Sequence, residues 1–403
     1  MIVRNPKQAE LQRAVEVAAV AFPDTPLEDW ASFFEMVAEV FGLRYILVVE
    51  DEGLIVSTLV CRPAPVYING SPVSHAATGA VATIPEARCK GFASEMMRES
   101  VRLLRSEKIY LSSLWPFSYP YYRKFGWEVG TETRNYSAAG KTFTELGDAG
   151  KARFIQEGDL RYIKAIFDDW AQDYNCLTQR SDVWWDRVTK LKLTPLSEPG
   201  SGNGVVVHVT DDRIDGYAVY VFTRKDDRKS LSIYEIAYSE AAHRRDMLAL
   251  LGALADDGTL AFYAPFDDLF LQEIPNPRAI NTAIVPSFQF RVIDPVGAME
   301  SLAVDEDVSG GVSFSISDPV FEKGWDFSVE AGGGCLEIGK PNSRRRLQLD
   351  IQTFARLYGG YLSPYDAWEL GKIRVDGDAM EMLIKAGDIL SPLKPYRTWL
   401  EPG

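Results

Sequence analysis

One strand-to-helix junction limits the folds open to this chain more than any other stretch. Residues 81–97 read VATIPEARCKGFASEMM, in which a strand-like run meets Pro85 and a helical pattern starts after Gly91. A helix N-terminus attracts anions because its first amides have no partner within the helix, and a glycine lets the main chain approach a ligand closely. Arg88 and Lys90 add two positive charges at the same point. The junction therefore predicts a phosphate-binding turn on an α/β fold.

The length of the chain predicts two or three domains, because 403 residues exceed the size at which a single hydrophobic core usually stops growing. Helical and strand-like patterns alternate up to about residue 150, and a second series in a similar order follows. This series contains another strand-turn-helix unit over residues 230–258, which predicts a diverged internal repeat. From about residue 291 alternating strands precede helices. We predict an α/β chain with mixed sheets and three domains, at residues 1–150, 151–290 and 291–403.

The charge of the chain limits its partners. The formal net charge is −14, which argues against nucleic acid as a partner because phosphate binding needs a basic surface. An acidic field favours cationic ligands, and it also keeps a protein in solution; both interpretations stay open. No apolar run approaches the roughly 20 residues that span a bilayer, and the N-terminus lacks a signal-peptide core. We expect a cytoplasmic protein with no membrane partner.

Cysteine and histidine usage predicts neither a disulfide framework nor a metal centre. The four cysteines lie far apart and show no CxxC spacing. The chain has only three histidines, His75, His208 and His243, and is therefore poor in the nitrogen ligands of a metal site. We expect no metal.

A second motif follows the first along the chain. Residues 114–130 read LWPFSYPYYRKFGWEVG, where a strand ends, an aromatic turn follows and the run YYRKFGW leads into another strand. Together, the junction pattern V-x-x-x-P-x-x-R-x-x-G-x-A and the run Y-R-K-F-G-W resemble the GNAT acetyltransferase superfamily and, within it, the enhanced intracellular survival (Eis) family. The resemblance implies two tandem GNAT folds, the second degenerate, followed by an α+β domain like sterol carrier proteins.

The resemblance also implies acetyl-coenzyme A as the co-substrate, with no metal. In GNAT proteins the strand before the phosphate loop pairs through its main chain with the pantetheine arm, and the loop and first helical turn hold the pyrophosphate. Carried over position by position, these roles fall on Val81, Ala82, Thr83, Arg88, Lys90, Gly91, Phe92 and Ala93.

For the catalytic acid the resemblance points to Tyr122, which would protonate the coenzyme A thiolate as it leaves. A phenol, with an ordinary pKa of about 10, is a suitable donor to a thiolate of similar basicity. Two alternatives stay open. Tyr122 could be a core aromatic that holds the turn, and a register shift of one residue would give the role to Tyr121.

The base and the acceptor pocket rest on the resemblance as well. The family's C-terminal carboxylate is the implied base, here at Gly403; the family commonly ends on a bulky apolar residue, whereas this chain ends LEPG. Glu401 is the second candidate, and a solvated tail or a base in the first domain are further interpretations. Asp24 and Trp30 match positions that line the family's acceptor pocket. Asp24 could instead cap a helix, and Trp30 could belong to the core.

The second repeat is predicted to lack the phosphate turn. The sequence places Asp246 where the first repeat has Gly91, and a carboxylate there would repel a pyrophosphate and cap its own helix. We therefore expect a structural role for this domain.

These observations predict an N-acetyltransferase that transfers acetyl groups to primary amines. The family implies polycationic acceptors, such as aminoglycosides or lysine side chains, and a homohexamer. The alternative is a scaffold that binds an acyl-coenzyme A or a lipid without turnover, since the third domain resembles lipid carriers.

Overall fold

The computed structural model describes residues 1–188, 202–225, 228–342, 345–390 and 393–401. Within these ranges the chain forms two seven-stranded sheets, one five-stranded sheet and a two-stranded ribbon, with helices packed on them. No helix in these ranges combines the length and the apolar character needed to cross a membrane.

The strands, in chain order, are β1 (Ile2–Arg4), β2 (Ile46–Asp51), β3 (Leu54–Pro63), β4 (Val66–Ile68), β5 (Ser71–Val73), β6 (His75–Thr83), β7 (Leu111–Leu114), β8 (Glu128–Val129), β9 (Glu132–Ala139), β10 (Ala152–Phe154), β11 (Gly202–Thr210), β12 (Arg213–Lys225), β13 (Arg228–Tyr238), β14 (Thr259–Pro265), β15 (Asn281–Pro286), β16 (Gln289–Val292), β17 (Gly310–Ser317), β18 (Trp325–Gly332), β19 (Cys335–Gly339), β20 (Arg346–Asp350) and β21 (Arg374–Asp376).

The α-helices, in chain order, are α1 (Leu11–Ala21), α2 (Leu27–Val40), α3 (Phe92–Ser106), α4 (Tyr119–Arg123), α5 (Gly140–Thr144), α6 (Leu160–Ala171), α7 (Asp182–Val188), α8 (Ala241–Ala255), α9 (Phe270–Glu273), α10 (Pro295–Glu300), α11 (Ile351–Tyr358), α12 (Pro364–Glu369) and α13 (Ala379–Ile389). Short 3₁₀ turns lie at Gln8–Glu10, Leu43–Tyr45, Pro85–Ala87, Ala149–Lys151 and Pro277–Ala279.

The first sheet has the spatial order β1-β2-β3-β6-β7-β16-β8. The predicted hairpin at Glu52-Gly53 joins β2 to β3, and both turn residues adopt the positive φ angles, 51° and 81°, of a tight hairpin turn. The predicted turn at Asn69-Gly70 likewise closes the β4–β5 ribbon. Strands β6 and β7 run parallel, and α3 connects them.

The second sheet repeats this plan in the order β10-β11-β12-β13-β14-β9-β15. Its fourth and fifth strands, β13 and β14, are again parallel, and α8 connects them as α3 connects β6 and β7. Helices α3 and α8 both have 15 residues. The predicted internal repeat is therefore confirmed at the level of the fold.

The two sheets exchange a strand. Strand β9 precedes residue 150 but pairs with β14 and β15 in the second sheet. Strand β16 lies across residue 290 and pairs with β7 and β8 in the first sheet. The domain boundaries drawn from the sequence stay predictions, and a cut at either point would remove a strand from a sheet.

A cleft opens where β6 and β7 diverge. The two strands pair only between residues 75–77 and 111–113. Further along, a bulge sets two residues of β6 opposite one of β3, and Ala80 adopts a left-handed φ of 51°. From there to Thr83 the edge of β6 that faces β7 has no strand partner in the described sheet. The cleft leads directly to the start of α3.

Helix α3 is held in place by its apolar face. Residues at helical spacing are buried between the helix and the first sheet, namely Phe92, Met96, Met97, Ser100, Val101 and Leu104. The opposite face carries ion pairs from Arg98 and Arg102 to Glu95. Burying a Phe, Met, Val or Leu side chain stabilises a fold by about 1.5–3 kcal/mol, so this face fixes the position of the helix N-terminus.

The third sheet has the order β19-β18-β17-β20-β21. Phe314, Phe327 and Phe354 pack together at its centre, with ring centroids 5.4–6.5 Å apart. This domain is anchored on the first sheet by a buried ion pair from Arg291 on β16 to Asp318, at 2.9 Å.

Candidate active site

A cavity of about 610 Å³ lies where β6 and β7 diverge and α3 begins. Seven of the eight residues predicted to bind the co-substrate line it, namely Val81, Ala82, Thr83, Arg88, Gly91, Phe92 and Ala93. Lys90, the eighth, is exposed and is not among the lining residues. The fold thus brings the strand edge and the helix N-terminus to one space.

Gly91 is the N-cap of α3 and has a φ of 83°, a left-handed conformation that favours glycine. A Cβ atom at this position would meet nothing within 4 Å, so glycine is required by the backbone conformation and not by crowding. The open space above it adjoins the first amides of α3, which have no partner within the helix. Arg88 donates from Nε to the main-chain oxygen of Thr83 at 3.2 Å, which keeps its charge at the cavity. An anion fits this position.

A second, smaller cavity of about 240 Å³ adjoins the first, and Phe22, Val81 and Phe117 line both. Five of its nine lining residues are aromatic and none is acidic. The full lining is Phe22, Trp30, Thr78, Gly79, Ala80, Val81, Trp115, Phe117 and Tyr122.

The two neighbouring tyrosines of α4 face different cavities. Tyr121 lines the larger cavity and Tyr122 the smaller one, with ring centroids 5.1 Å apart. Burial raises the pKa of Tyr121, and it raises the pKa of Tyr122 well above its usual range, with Tyr121 adding to the effect. Tyr122 is therefore protonated at neutral pH, the state that a general acid needs.

Strand β16 and the chain just before it hold in place the segment that carries Tyr121 and Tyr122. Tyr119 donates its hydroxyl to the main-chain oxygen of Ser287 at 2.5 Å, just before β16. Arg291 on β16 donates from Nη1 to the main-chain oxygen of Phe125. A Cβ atom on Gly126 would lie 1.5 Å from that guanidinium, which explains the glycine of the YRKFG run.

The C-terminal tail contacts one residue of the smaller cavity's wall. Trp115, which lines it, donates from Nε1 to the main-chain oxygen of Glu401 at 3.3 Å. The rings of Trp115 and Trp399 lie 4.9 Å apart. Gly403, the predicted source of the terminal carboxylate base, lies outside the described residues.

The Glu401 carboxylate is buried and occupied by donors. It accepts hydrogen bonds from the amide of Thr178 at 3.0 Å and from the Thr178 hydroxyl at 2.8 Å. It also pairs with Arg397 at 3.2 Å and Arg180 at 3.6 Å. These contacts suit an anchor for the tail, and the role of Glu401 as base stays a prediction.

The structure separates the two residues predicted for the acceptor pocket. Trp30 lines the smaller cavity, and its Nε1 is buried without a hydrogen-bond partner in the described ranges. Asp24 is exposed in the turn between α1 and α2 and lines neither cavity. The alternative that Asp24 caps α2 is wrong, because Pro26 is the N-cap.

Sequence reasoning missed three aromatic residues of the smaller cavity, Phe22, Trp115 and Phe117. The signal for two of them was present in the run WPF directly after β7. Phe22 follows α1 and had no local signal.

The predicted alignment of Asp246 with Gly91 is wrong. Helix α8 has Glu240 as its N-cap, so Asp246 lies inside the helix and does not cap it. Its carboxylate instead accepts the amide of Asp148 at 2.7 Å. The predicted alignment matched the cations before Asp246 to those before Gly91. This match fails because Arg244 is buried and pairs with Asp268 at 2.6 Å. The position equivalent to Gly91 still carries a carboxylate, that of Glu240.

Comparison with protein families divides the chain into three parts. Residues 2–130 match an acetyltransferase (GNAT) domain, residues 176–292 match a second acetyltransferase (GNAT) domain, and residues 295–398 match a sterol carrier protein domain. This chain is a tandem GNAT acetyltransferase with a sterol carrier protein domain. Both cavities are lined by residues of the first GNAT domain.

Solved structures share the whole arrangement. A GCN5-related N-acetyltransferase from Anabaena variabilis has 17% identity and a TM-score of 0.83, over 98% of each chain. One from Kribbella flavida has 18% identity and a TM-score of 0.78, over 100% of this chain and 98% of that one. Eis1 from Mycobacterium abscessus has 17% identity and a TM-score of 0.78, over all of both chains. At these identities the likeness shows the fold. No curated protein sequence matches the chain.

Proposed function

We propose that the first GNAT domain transfers the acetyl group of acetyl-coenzyme A to a primary amine. The observation that carries this proposal is the adjoining pair of cavities, one at a helix N-terminus and one walled by aromatic rings. The larger volume, about 610 Å³, lies within the usual range of small-ligand sites. The free main-chain edge at Val81–Thr83 suits the pantetheine arm, and Gly91 with Arg88 suits the pyrophosphate.

Tyr122 is the proposed general acid. The amine nitrogen attacks the carbonyl carbon of the thioester and gives up a proton to the base. The carbon–sulfur bond then breaks, and the departing sulfur takes the phenolic proton. The buried phenol keeps that proton at neutral pH. Tyr121 is the competing assignment, because its side chain lines the larger cavity, where the co-substrate is proposed to bind, and its hydroxyl is buried there.

The proposed base comes from the tail. Glu401 brings the tail to the wall of the acceptor cavity while its own carboxylate is held by Thr178 and Arg397. The carboxylate at Gly403, two residues later, is therefore our preferred base. Asp24 and an ordered water stay as alternatives.

The aromatic lining of the smaller cavity favours an acceptor whose amine is attached to an apolar or aromatic group. Aromatic faces contact flat apolar groups and attract cations, whereas a polycationic acceptor is usually recognised by carboxylates. The polycationic acceptors expected from the sequence draw support only from the net charge of −14. Assembly as a hexamer and a cytoplasmic location remain predictions from the sequence.

A thiol-release assay tests the proposal. Acetyl-coenzyme A is offered with an arylalkylamine, an aminoglycoside or a lysine peptide, and its binding is measured separately by calorimetry. We expect turnover with at least one amine and the highest kcat/KM with the arylalkylamine. Binding without turnover on any amine would favour the scaffold alternative, and absence of binding would overturn the co-substrate assignment.

A further inference from the structure

The second GNAT domain contains a cluster of two histidines and an aspartate that the acetyltransferase site does not use. His208 on β11, Asp215 on β12 and His243 on α8 place one potential ligand atom each within 4.8 Å of one another. Nδ1 of His208 lies 2.5 Å from Oδ1 of Asp215, and Nδ1 of His243 lies 3.7 Å from the same oxygen. Both imidazoles therefore present the same nitrogen to one carboxylate oxygen. Their rings stack with centroids 4.3 Å apart.

A second carboxylate, that of Asp246, contacts the other ring nitrogen of His208. Nε2 of His208 lies 3.0 Å from Oδ2 of Asp246. In metal sites the far nitrogen of a ligating histidine usually donates to a carboxylate, which fixes the tautomer and the ring orientation. Asp246 is itself held by the amide of Asp148 at 2.7 Å, and Lys151 lies 4.0 Å away.

The cluster combines burial with a route from solvent. The side chains of His208 and Asp215 are 1% and 8% exposed, and that of His243 is 12% exposed at the start of α8. Two nearly buried carboxylates in one cluster favour a cation beside them, because the interior solvates an unpaired charge poorly.

We propose that His208, Asp215 and His243 bind a divalent transition-metal ion of the zinc class. Two imidazole nitrogens and one carboxylate oxygen are the donors that Zn²⁺ prefers, at about 2.0–2.2 Å, with water in the fourth position. Nδ1 of His208 and Oδ1 of Asp215, now 2.5 Å apart, must separate to admit the ion, because two ligands at about 2.0–2.2 Å in a tetrahedral site lie more than about 3 Å from each other. Nδ1 of His243, 3.7 Å from the same oxygen, is the third ligand. The ion ties β11 and β12 to α8 and stabilises a domain that lacks the glycine of the phosphate turn.

The test is a titration of the full-length, chelator-treated protein with ZnCl₂ by calorimetry, with melting temperature as a second measurement. We expect one saturable equivalent and a higher melting temperature with zinc. His243→Ala removes the most exposed ligand and should abolish this equivalent while the protein stays folded. Asp246→Asn should weaken zinc binding by about 10–100-fold, since it changes only the carboxylate that contacts Nε2 of His208 and leaves all three ligands in place.

Asp212→Asn is the matched control, because it removes an exposed carboxylate from the turn that joins β11 to β12. This variant should bind zinc like the original protein. Absence of a saturable zinc equivalent would overturn the proposal. So would unchanged binding in both His243→Ala and Asp246→Asn, since the zinc would then be held elsewhere, for example by the exposed thiols of Cys89 and Cys335.

Discussion

Nε1 of Trp115 donates a hydrogen bond to the main-chain oxygen of Glu401 at 3.3 Å, across 286 positions of sequence. This bond joins the wall of the smaller cavity to the C-terminal tail. Arg397 extends the attachment, because it donates from Nη1 to the hydroxyl of Ser113 on β7. The tail therefore packs against the first GNAT domain, although it follows the sterol carrier domain in the chain.

Gly91→Asp should abolish acetyl-coenzyme A binding and leave the protein folded. The substitution places a carboxylate at the N-terminus of α3, where we expect the pyrophosphate, and strains a residue with a φ of 83°. Calorimetry with acetyl-coenzyme A measures the effect, and Gly91→Ala is the control for strain without charge. Unchanged affinity in the aspartate variant would remove the loop from the site.

Tyr122→Phe should lower kcat far more than it weakens binding of either substrate. It deletes only a hydroxyl, so the aromatic packing of α4 survives. General-acid assistance is typically worth about 10²–10⁴ in rate. Tyr121→Phe is the matched control from the same turn. A loss confined to the Tyr121 variant would transfer the role to that residue.

Removal of residues 402 and 403 should reduce turnover steeply and leave the affinity for acetyl-coenzyme A almost unchanged. The deletion moves the terminal carboxylate, while the phosphate turn at α3 is untouched. C-terminal amidation is the sharper variant, because it removes one charge and adds little bulk. Full activity of both variants on the best amine would exclude the terminal carboxylate as the base.

Glu401→Gln should lower stability. The change leaves the buried guanidiniums of Arg180 and Arg397 with one carboxylate fewer, and breaking a buried ion pair typically costs about 3–5 kcal/mol. The midpoint of urea unfolding should fall accordingly. Arg98→Gln on the exposed face of α3 is the control and should shift it little. An unchanged midpoint, with lost turnover, would instead identify Glu401 as the base.

Stability should fall as the pH drops below about 6.5, in part because of His75. Burial, together with the charge of Arg397, lowers the pKa of this imidazole from 6.5 to about 3. Between these values the unfolded chain binds a proton that the folded chain does not, so stability is lost at about 1.4 kcal/mol per pH unit from this group. Urea unfolding across pH 4–7 measures the slope. His75→Gln should flatten it, and an equal slope in the variant would contradict this origin.

The sequence by itself determined the local structural features of this protein. The junction from Val81 to Met97 predicted a strand, a turn at a glycine and a helix, and all three are present. These features depend on neighbours within a few residues, so propensity and spacing are enough to predict them. The hairpin turns at Gly53 and Gly70 follow for the same reason.

Only the tertiary structure decided what lies at a distance. It brought Trp115 to Glu401, exchanged β9 and β16 between the sheets, and assembled His208 with His243 from separate elements. It also shows that α8 begins after Glu240, whereas the charged run before Asp246 had suggested a later start of the helix. Such contacts arise from the packing of whole elements against one another. Side-chain spacing within one segment carries no information about which other segment will cover it.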